Sequence, residues 1–207
     1  MHPILNVAIR AAERAGTLIA KRLQQRDHLT IELKSPNDFV SEVDRLAEAD
    51  IIQTIHKYYP NHAILGEETG ARGKNREYEW IIDPLDGTTN FLHGFPQFSV
   101  SIAVLHRGKL AHAVVYDPIK QELFSASRGS GAQLNNRRIR VTPQKTLENS
   151  LLATGFPFRD FSYLDIYMDT FKAFVTQTSG VRRAGSAALD LAWVAAGRVD
   201  GFWEFNL

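Results

Sequence analysis

The sequence predicts an α+β chain folded as a layered domain with two sheets, mixed and antiparallel. Three observations predict it. Apolar residues recur at helical spacing through the first 23 residues and again from Glu42 to Tyr59. Between Phe98 and Asn136, alternating strands are punctuated by turn signals about every ten residues. After Gly180 the chain runs strand, glycine, helix, glycine, strand.

Taken in order, "PILNVAIRAAERAGTLIAKRL" places apolar or small residues at 4, 5, 8, 12, 15, 18, 19 and 23. They form one helical face, and Pro3 suits a first turn. "TIELKSPNDFVSEVD" begins as a strand and breaks at Lys34–Asn37. The helix from Glu42 carries Leu46, Ala47, Ile51, Ile55 and Tyr58 or Tyr59 on one side, and Pro60–Asn61 stops it. "AILGEETG" reads as a short strand ending in a Glu pair. Phe98, Val100, Ile102 and Val104 alternate with small or polar residues, and Arg107–Gly108, Asp117–Pro118 and Gly129–Gly131 mark the turns of an antiparallel meander. "NSLLATGFPF" is a further strand, and residues 162–177 form a helix through Leu164, Ile166, Tyr167, Phe171, Phe174 and Val175.

A chain of 207 residues, 44% hydrophobic and 23% charged, has ordinary globular composition. No linker divides it, so a single domain over 1–207 is expected. The net charge of +1 gives no general attraction to nucleic acid. The absence of cysteine excludes disulfides, thiol nucleophiles and Cys-ligated zinc or iron–sulfur sites. No apolar run approaches the ~20 residues of a membrane helix. Arg10, Glu13 and Arg14 interrupt what would otherwise be the apolar part of a signal peptide. A cytoplasmic protein is the expectation.

"WIIDPLDGTTNF" at 80–91 carries the chemistry. A strand runs into Asp83 and Asp86, three residues apart, and then into a small-residue turn. Strand ends in open sheets hold ligands. Paired carboxylates attract hard cations, and small-residue turns entering a helix attract phosphate. Asp44 and the pair Glu67–Glu68 lie at other element ends. Singly, each has an ordinary explanation: a helix-dipole charge for Asp44, a solvated surface pair for the glutamates, a turn for Asp-Gly. The combined string "DPLDGTTN" is far more constrained. Carboxylates crowded in one cleft raise each other's pKa values, and a divalent cation relieves the repulsion. Without cysteine or a paired-His motif, Mg²⁺ is the natural ion, with Mn²⁺ as the alternative.

These residues resemble the signature of the inositol monophosphatase family: "DPLDGTTNF" at 83–91, "GEE" at 66–68, "NDFVSEVD" at 37–44 and "RRAGSAALDLAWVAAGRVDGFWE" at 182–204. The resemblance covers the whole chain and is nearest to the family's bacterial SuhB-type branch, through "MHPILN" and "LATGFPF". It implies a five-layer αβαβα sandwich of the sugar-phosphatase-like kind, often a homodimer. It also implies hydrolysis of phosphate monoesters, myo-inositol monophosphate first among them, by a metal-activated water. Two or three Mg²⁺ ions and inhibition by Li⁺ are expected with it.

Residue by residue, the resemblance assigns Glu67, Asp83 and the Leu85 carbonyl to the first metal. Asp83 bridges to a second metal held also by Asp86. Asp44 and Thr88 form a pair beside the attacking water, with Glu67 counted in the catalytic group. Gly87 and Thr88 offer N–H groups to the phosphate. Gly185, Ser186 and Ala187 surround the polyol, and Glu204 accepts from its hydroxyls. "GSAALDLAW" reads independently as a helix start with Ser186 near the cap. Glu68 and Lys34 match neighbouring positions with less defined roles.

Two other activities go with the same resemblance. Relatives with this metal core act on fructose bisphosphate or phosphoadenosine phosphate, and SuhB-type proteins join bacterial transcription antitermination complexes. Family members also continue beyond a point equivalent to "GFWEFNL", into a Trp–Asp motif whose Asp is a second-metal ligand. It would fall a few residues after Leu207. The expectation is a domain incomplete at its C-terminus, recorded from a longer natural chain.

Overall fold

The structure, a computed structural model, describes residues 2–25, 31–35, 38–73, 75–157 and 160–207, with side chains 31–40 outside the description. Lys34 is placed by its backbone only, and Met1, Asn37 and Phe158 of the quoted motifs lie outside the described residues.

Helix α1 spans Pro3–Leu23, the predicted stretch. Pro3 opens it, and the His2 ring accepts from the Ile4 N–H at 3.2 Å. Its predicted face is buried from Ile4 and Leu5 through Ala8, Ala12 and Ala15 to Ile19. Strands β1 (Ile31–Ser35) and β2 (Asp38–Ser41) pair as a hairpin. Helix α2 (Glu42–Tyr58) follows and packs antiparallel-fashion beside α1, burying Val43, Ala47, Ile51, Ile52 and Ile55. Leu46, expected on that face, is 40% exposed. It lies about 100° around the helix from Ala47, off the stripe that 47, 51 and 55 define.

The main sheet has eight strands. They are β3 (His62–Gly66), β4 (Gly70–Arg72), β5 (Asn75–Asp86), β6 (Ser99–His106), β7 (Lys109–Asp117), β8 (Glu122–Ser127), β9 (Gly131–Leu134) and β10 (Arg137–Arg138). Their spatial order is β10-β9-β8-β7-β6-β5-β3-β4, antiparallel throughout except for the parallel pair β3 and β5. A five-residue helix, α3 (Thr88–Leu92), leaves the end of β5. Phe98, Val100, Ile102 and Val104 turn inward with Trp80 and Ile82 against α1 and α2, as their alternation predicts.

The second sheet, β12-β11-β13, joins β11 (Leu151–Thr154), β12 (Gly180–Arg182) and β13 (Gly201–Trp203). It is parallel, where an antiparallel arrangement was expected. The helices α4 (Leu164–Val175) and α5 (Ala187–Ala195) supply the crossovers that parallel neighbours need. A 3₁₀ turn at Phe161–Tyr163 precedes α4. Helix α5 lies between the sheets, touching β6 and β7 on one side and β11 and β13 on the other, while α4 covers the outer face beside β12. The layers therefore run α1/α2, large sheet, α5, small sheet, α4. This is the expected layered αβ sandwich.

Candidate active site

The parallel pairing of β3 with β5 builds the centre of the site. Its register sets Gly66 opposite Ile82, and the Glu67 N–H bonds the Ile82 carbonyl at 3.1 Å. Glu67 thus emerges beside Asp83 at the carboxyl ends of two parallel strands, where such sheets open toward ligands. Asp83 and Asp86 flank a register shift against β6. The irregularity turns both carboxyls toward the same cavity, which has a volume of about 930 Å³ and lies between the two sheets. Gly87 then adopts φ 97°, a left-handed conformation that only glycine takes readily, and starts α3.

Burial and neighbouring carboxylates raise the Asp83 pKa well above its ordinary value, with Asp86 and then Glu67 adding to the desolvation. Asp83 shares a hydrogen bond with Glu67, and its Oδ1 accepts from the Leu85 N–H at 3.0 Å. Asp86 is also raised, chiefly by desolvation. Its Oδ2 accepts from Ser186 Oγ at 2.5 Å and from the Ala188 N–H at 2.8 Å. Ser186 begins α5 as its N-cap, but its hydroxyl serves Asp86 instead of its own helix. The N–H group of Ala188 is likewise taken by Asp86, so this helix start grips a carboxylate before any polyol reaches it.

Thr88 Oγ1 lies 2.9 Å from Asp44 Oδ1 and 3.0 Å from the Leu85 carbonyl. Asp44 is 3% exposed, and burial is the main cause of its raised pKa, opposed by hydrogen bonds from Ser41 and Thr88. Gly185 stands against Gly87, whose absent Cβ would meet the Gly185 carbonyl at 3.1 Å. Glu204, on the chain just past β13, lies over Gly155, where a Cβ would come within 2.0 Å of its carboxyl carbon. The cavity lining includes Glu67, Asp83, Leu85, Asp86, Gly87, Thr88, Gly185, Ser186, Ala187 and Glu204. Asp44 reaches the cavity through Thr88.

Four further residues stand out only in three dimensions. Glu48 of α2 is fully buried and accepts the Glu68 N–H at 2.9 Å, anchoring the Glu67–Glu68 turn from below. Asn90 donates to the carbonyls of Gln97 (2.7 Å) and Ala184 (2.9 Å), tying the "DPLDGTTN" loop to the segment before α5. Ser99 lies 3.3 Å from Ser186 through their hydroxyls. Asp190 of α5 is buried, and its pKa is pushed up to about 7 by desolvation first and then by Asp86 and Glu204. Each depends on a partner distant in the chain, so no local spacing announces it.

The donor set fits a hard divalent cation. All candidate ligands are oxygens, and Asp86 and Glu67 disfavour the charge of Asp83, in a cavity whose cation among the described residues is Arg183. Asp190 Oδ1 is buried with no hydrogen-bond partner among the described residues, an acceptor left for a cation or a donor to satisfy. Among the described residues no three His, Asp or Glu side chains already stand at ligand spacing. The carboxyls are engaged by Ser186, Ala188, Leu85 and each other, so electrostatic coupling marks the site, not a finished coordination sphere.

Comparison with known proteins decides the relationship. The sequence model of the inositol monophosphatase family matches residues 1–207. The chain belongs to the inositol monophosphatase family. It is 55% identical to the protein named Nus factor SuhB of Pseudomonas aeruginosa, over 100% of this chain and 78% of that protein. The crystal structure of extragenic suppressor protein suhB from Bartonella henselae superposes with a TM-score of 0.96 at 45% identity, covering 100% of this chain and 80% of that one. An inositol monophosphatase structure from Anabaena gives 0.85 at 41% identity, over 99% and 75%. Membership of this phosphatase family agrees with a cavity built around carboxylates and a threonine. Among the described residues no helix is long and apolar enough to cross a membrane.

Proposed function

We propose that the protein is a Mg²⁺-dependent phosphomonoesterase whose preferred substrate is a myo-inositol monophosphate. The observation that carries this reading is the convergence, in one cavity, of Glu67, Asp83 and Asp86 from the large sheet with Thr88, α5 and Glu204. Glu67, Asp83, the Leu85 carbonyl and Asp86 would hold the metal ions. When bound, such ions supply Lewis-acid charge and a water of lowered pKa.

The chain's own residues do the rest. Asp44 holds the Thr88 hydroxyl through Oδ1, so the Thr88 oxygen is oriented to accept from an attacking water and pass its proton toward Asp44. The N–H groups of Gly87 and Thr88 receive phosphate oxygens. Glu204 accepts from ring hydroxyls and fixes the polyol, and Ser186 and Ala188 keep Asp86 from swinging away. Attack in line with the leaving oxygen needs positioning and charge stabilisation, with no covalent enzyme intermediate. Phosphate release from inositol 1-phosphate, fructose 1,6-bisphosphate and phosphoadenosine phosphate, assayed side by side, tests the substrate. A strong preference for either of the latter two would replace the inositol reading with a sugar or nucleotide phosphatase.

A second role is favoured by one finding. The relative at 55% identity carries the name Nus factor. We infer that this chain also joins a bacterial transcription antitermination complex, as a homodimer in the cytoplasm. Pull-down of transcription factors by the Asp86→Asn variant, inactive as an enzyme, should match the wild type. Failure of the wild type to retain any of them would remove this role.

A further inference from the structure

Helix α5 grips one carboxylate and carries another. Ser186 Oγ and the Ala188 N–H fix Asp86 Oδ2, and the Asp190 N–H closes the first turn on the Ser186 carbonyl at 3.0 Å. Asp86 and Asp190 are therefore held by the same turn of helix and line the same cavity. Asp190 is 1% exposed, and its Oδ1 is buried with no hydrogen-bond partner among the described residues. An isolated buried carboxylate oxygen is costly unless something occupies the space before it.

Two kinds of occupant are conceivable, and the surroundings separate them. A substrate hydroxyl would satisfy the lone pair but leave Asp190 facing the charges of Asp86 and Glu204. A cation satisfies the oxygen and offsets the repulsion together. Arg183 lines the same cavity and favours the Asp190 charge, yet its guanidinium lies over the Phe156 ring at 5.1 Å and leaves Asp190 Oδ1 without a hydrogen bond.

We propose that Asp190 is a fourth carboxylate of the cation site, acting beside Asp86 either by direct ligation or through a water of the ion. The inference rests on the metal-dependent reading above. Its structural basis is the shared turn of α5, which fixes the separation of the two carboxyls without depending on a loop. A rigid pair of this kind gives an ion more charge at the Asp86 end than Asp83 and Asp86 alone provide.

Mn²⁺ binding to the protein alone, without substrate, is the test, with free Mn²⁺ counted by electron paramagnetic resonance. Wild type, Asp190→Asn, Asp190→Ser and Asp83→Asn are compared. Both Asp190 variants should lose about 10–100-fold in affinity for at least one ion. The serine variant, smaller and uncharged, guards against a misfolding artefact peculiar to the amide. Wild-type Mn²⁺ binding in both Asp190 variants, with loss in Asp83→Asn, would overturn the inference alone and return Asp190 to the polyol side. Equal binding in all four proteins would overturn the metal-site reading and this inference with it.

Discussion

Thr88 Oγ1 sits 2.9 Å from Asp44 Oδ1, joining the turn after β5 to the start of α2. The other Asp44 oxygen, Oδ2, accepts the Ser41 N–H at 2.9 Å and the Ser41 hydroxyl at 2.6 Å, completing a capping box. The helix-start role of Asp44 thus uses Oδ2, and its proposed partnership with Thr88 uses Oδ1. The cap fixes the carboxyl's direction and leaves Oδ1 for Thr88.

Thr88→Val keeps the shape of the side chain and removes its hydroxyl. It should lower kcat by about 10²–10⁴-fold, the range for loss of a general base, while Mn²⁺ affinity changes little. Thr88→Ser should recover most of the rate. Steady-state kinetics on the three proteins checks this.

Asp83→Asn should abolish turnover more completely than Glu204→Ala. In the proposed reading Asp83 holds both metals, whereas Glu204 would touch only the polyol. Loss of one hydroxyl contact costs about 1–3 kcal/mol. Equal kinetic losses in the two variants would contradict the bridging assignment.

Gly155→Ala places a methyl carbon where Glu204 lies, within 2.0 Å of its carboxyl carbon. Glu204 must swing out, so KM for the inositol ester should rise while Mn²⁺ affinity stays at the wild-type value. Kinetics and a metal titration on the same preparation read both quantities.

Arg198 donates to Glu122 from two nitrogens at 2.5 Å each, linking the loop after α5 to β8. The hydrogen bond from Arg198 is the main cause that holds the Glu122 carboxyl below its usual range. A depressed folded pKa means stabilisation present above the unfolded value and lost as pH falls through the folded one. Glu122→Gln should therefore cost up to about 1 kcal/mol at neutral pH, a value kept low by partial solvent exposure. The difference from wild type should shrink toward zero in acid. Urea denaturation at several pH values measures it.

Much of this molecule is legible in its sequence. The bounds of α1 follow from Pro3 and the apolar stripe, and "DPLDGTTN" marks the cavity because a strand, two carboxyls and a glycine turn are local features. Contacts across the chain are not legible in the same way. Glu48 below Glu68, Asn90 against Ala184, and Gly155 beneath Glu204 join residues 20, 94 and 49 positions apart. The parallel direction of the small sheet escaped for a related reason. Strands of three or four residues such as "LLAT" pack equally well either way, and only the intervening helices decide. Leu46 misled because two adjacent apolar residues cannot both lie at the centre of one helical stripe.

Phosphate release from myo-inositol 1-phosphate as Mg²⁺ is raised from zero, with a chelator control, tests the central claim most directly. Turnover should be absent under chelation, should rise with Mg²⁺ to saturation, and should vanish in Asp83→Asn at every concentration. Turnover that persists under chelation, or that Asp83→Asn retains, would contradict a metal-dependent phosphatase centred on Glu67, Asp83 and Asp86.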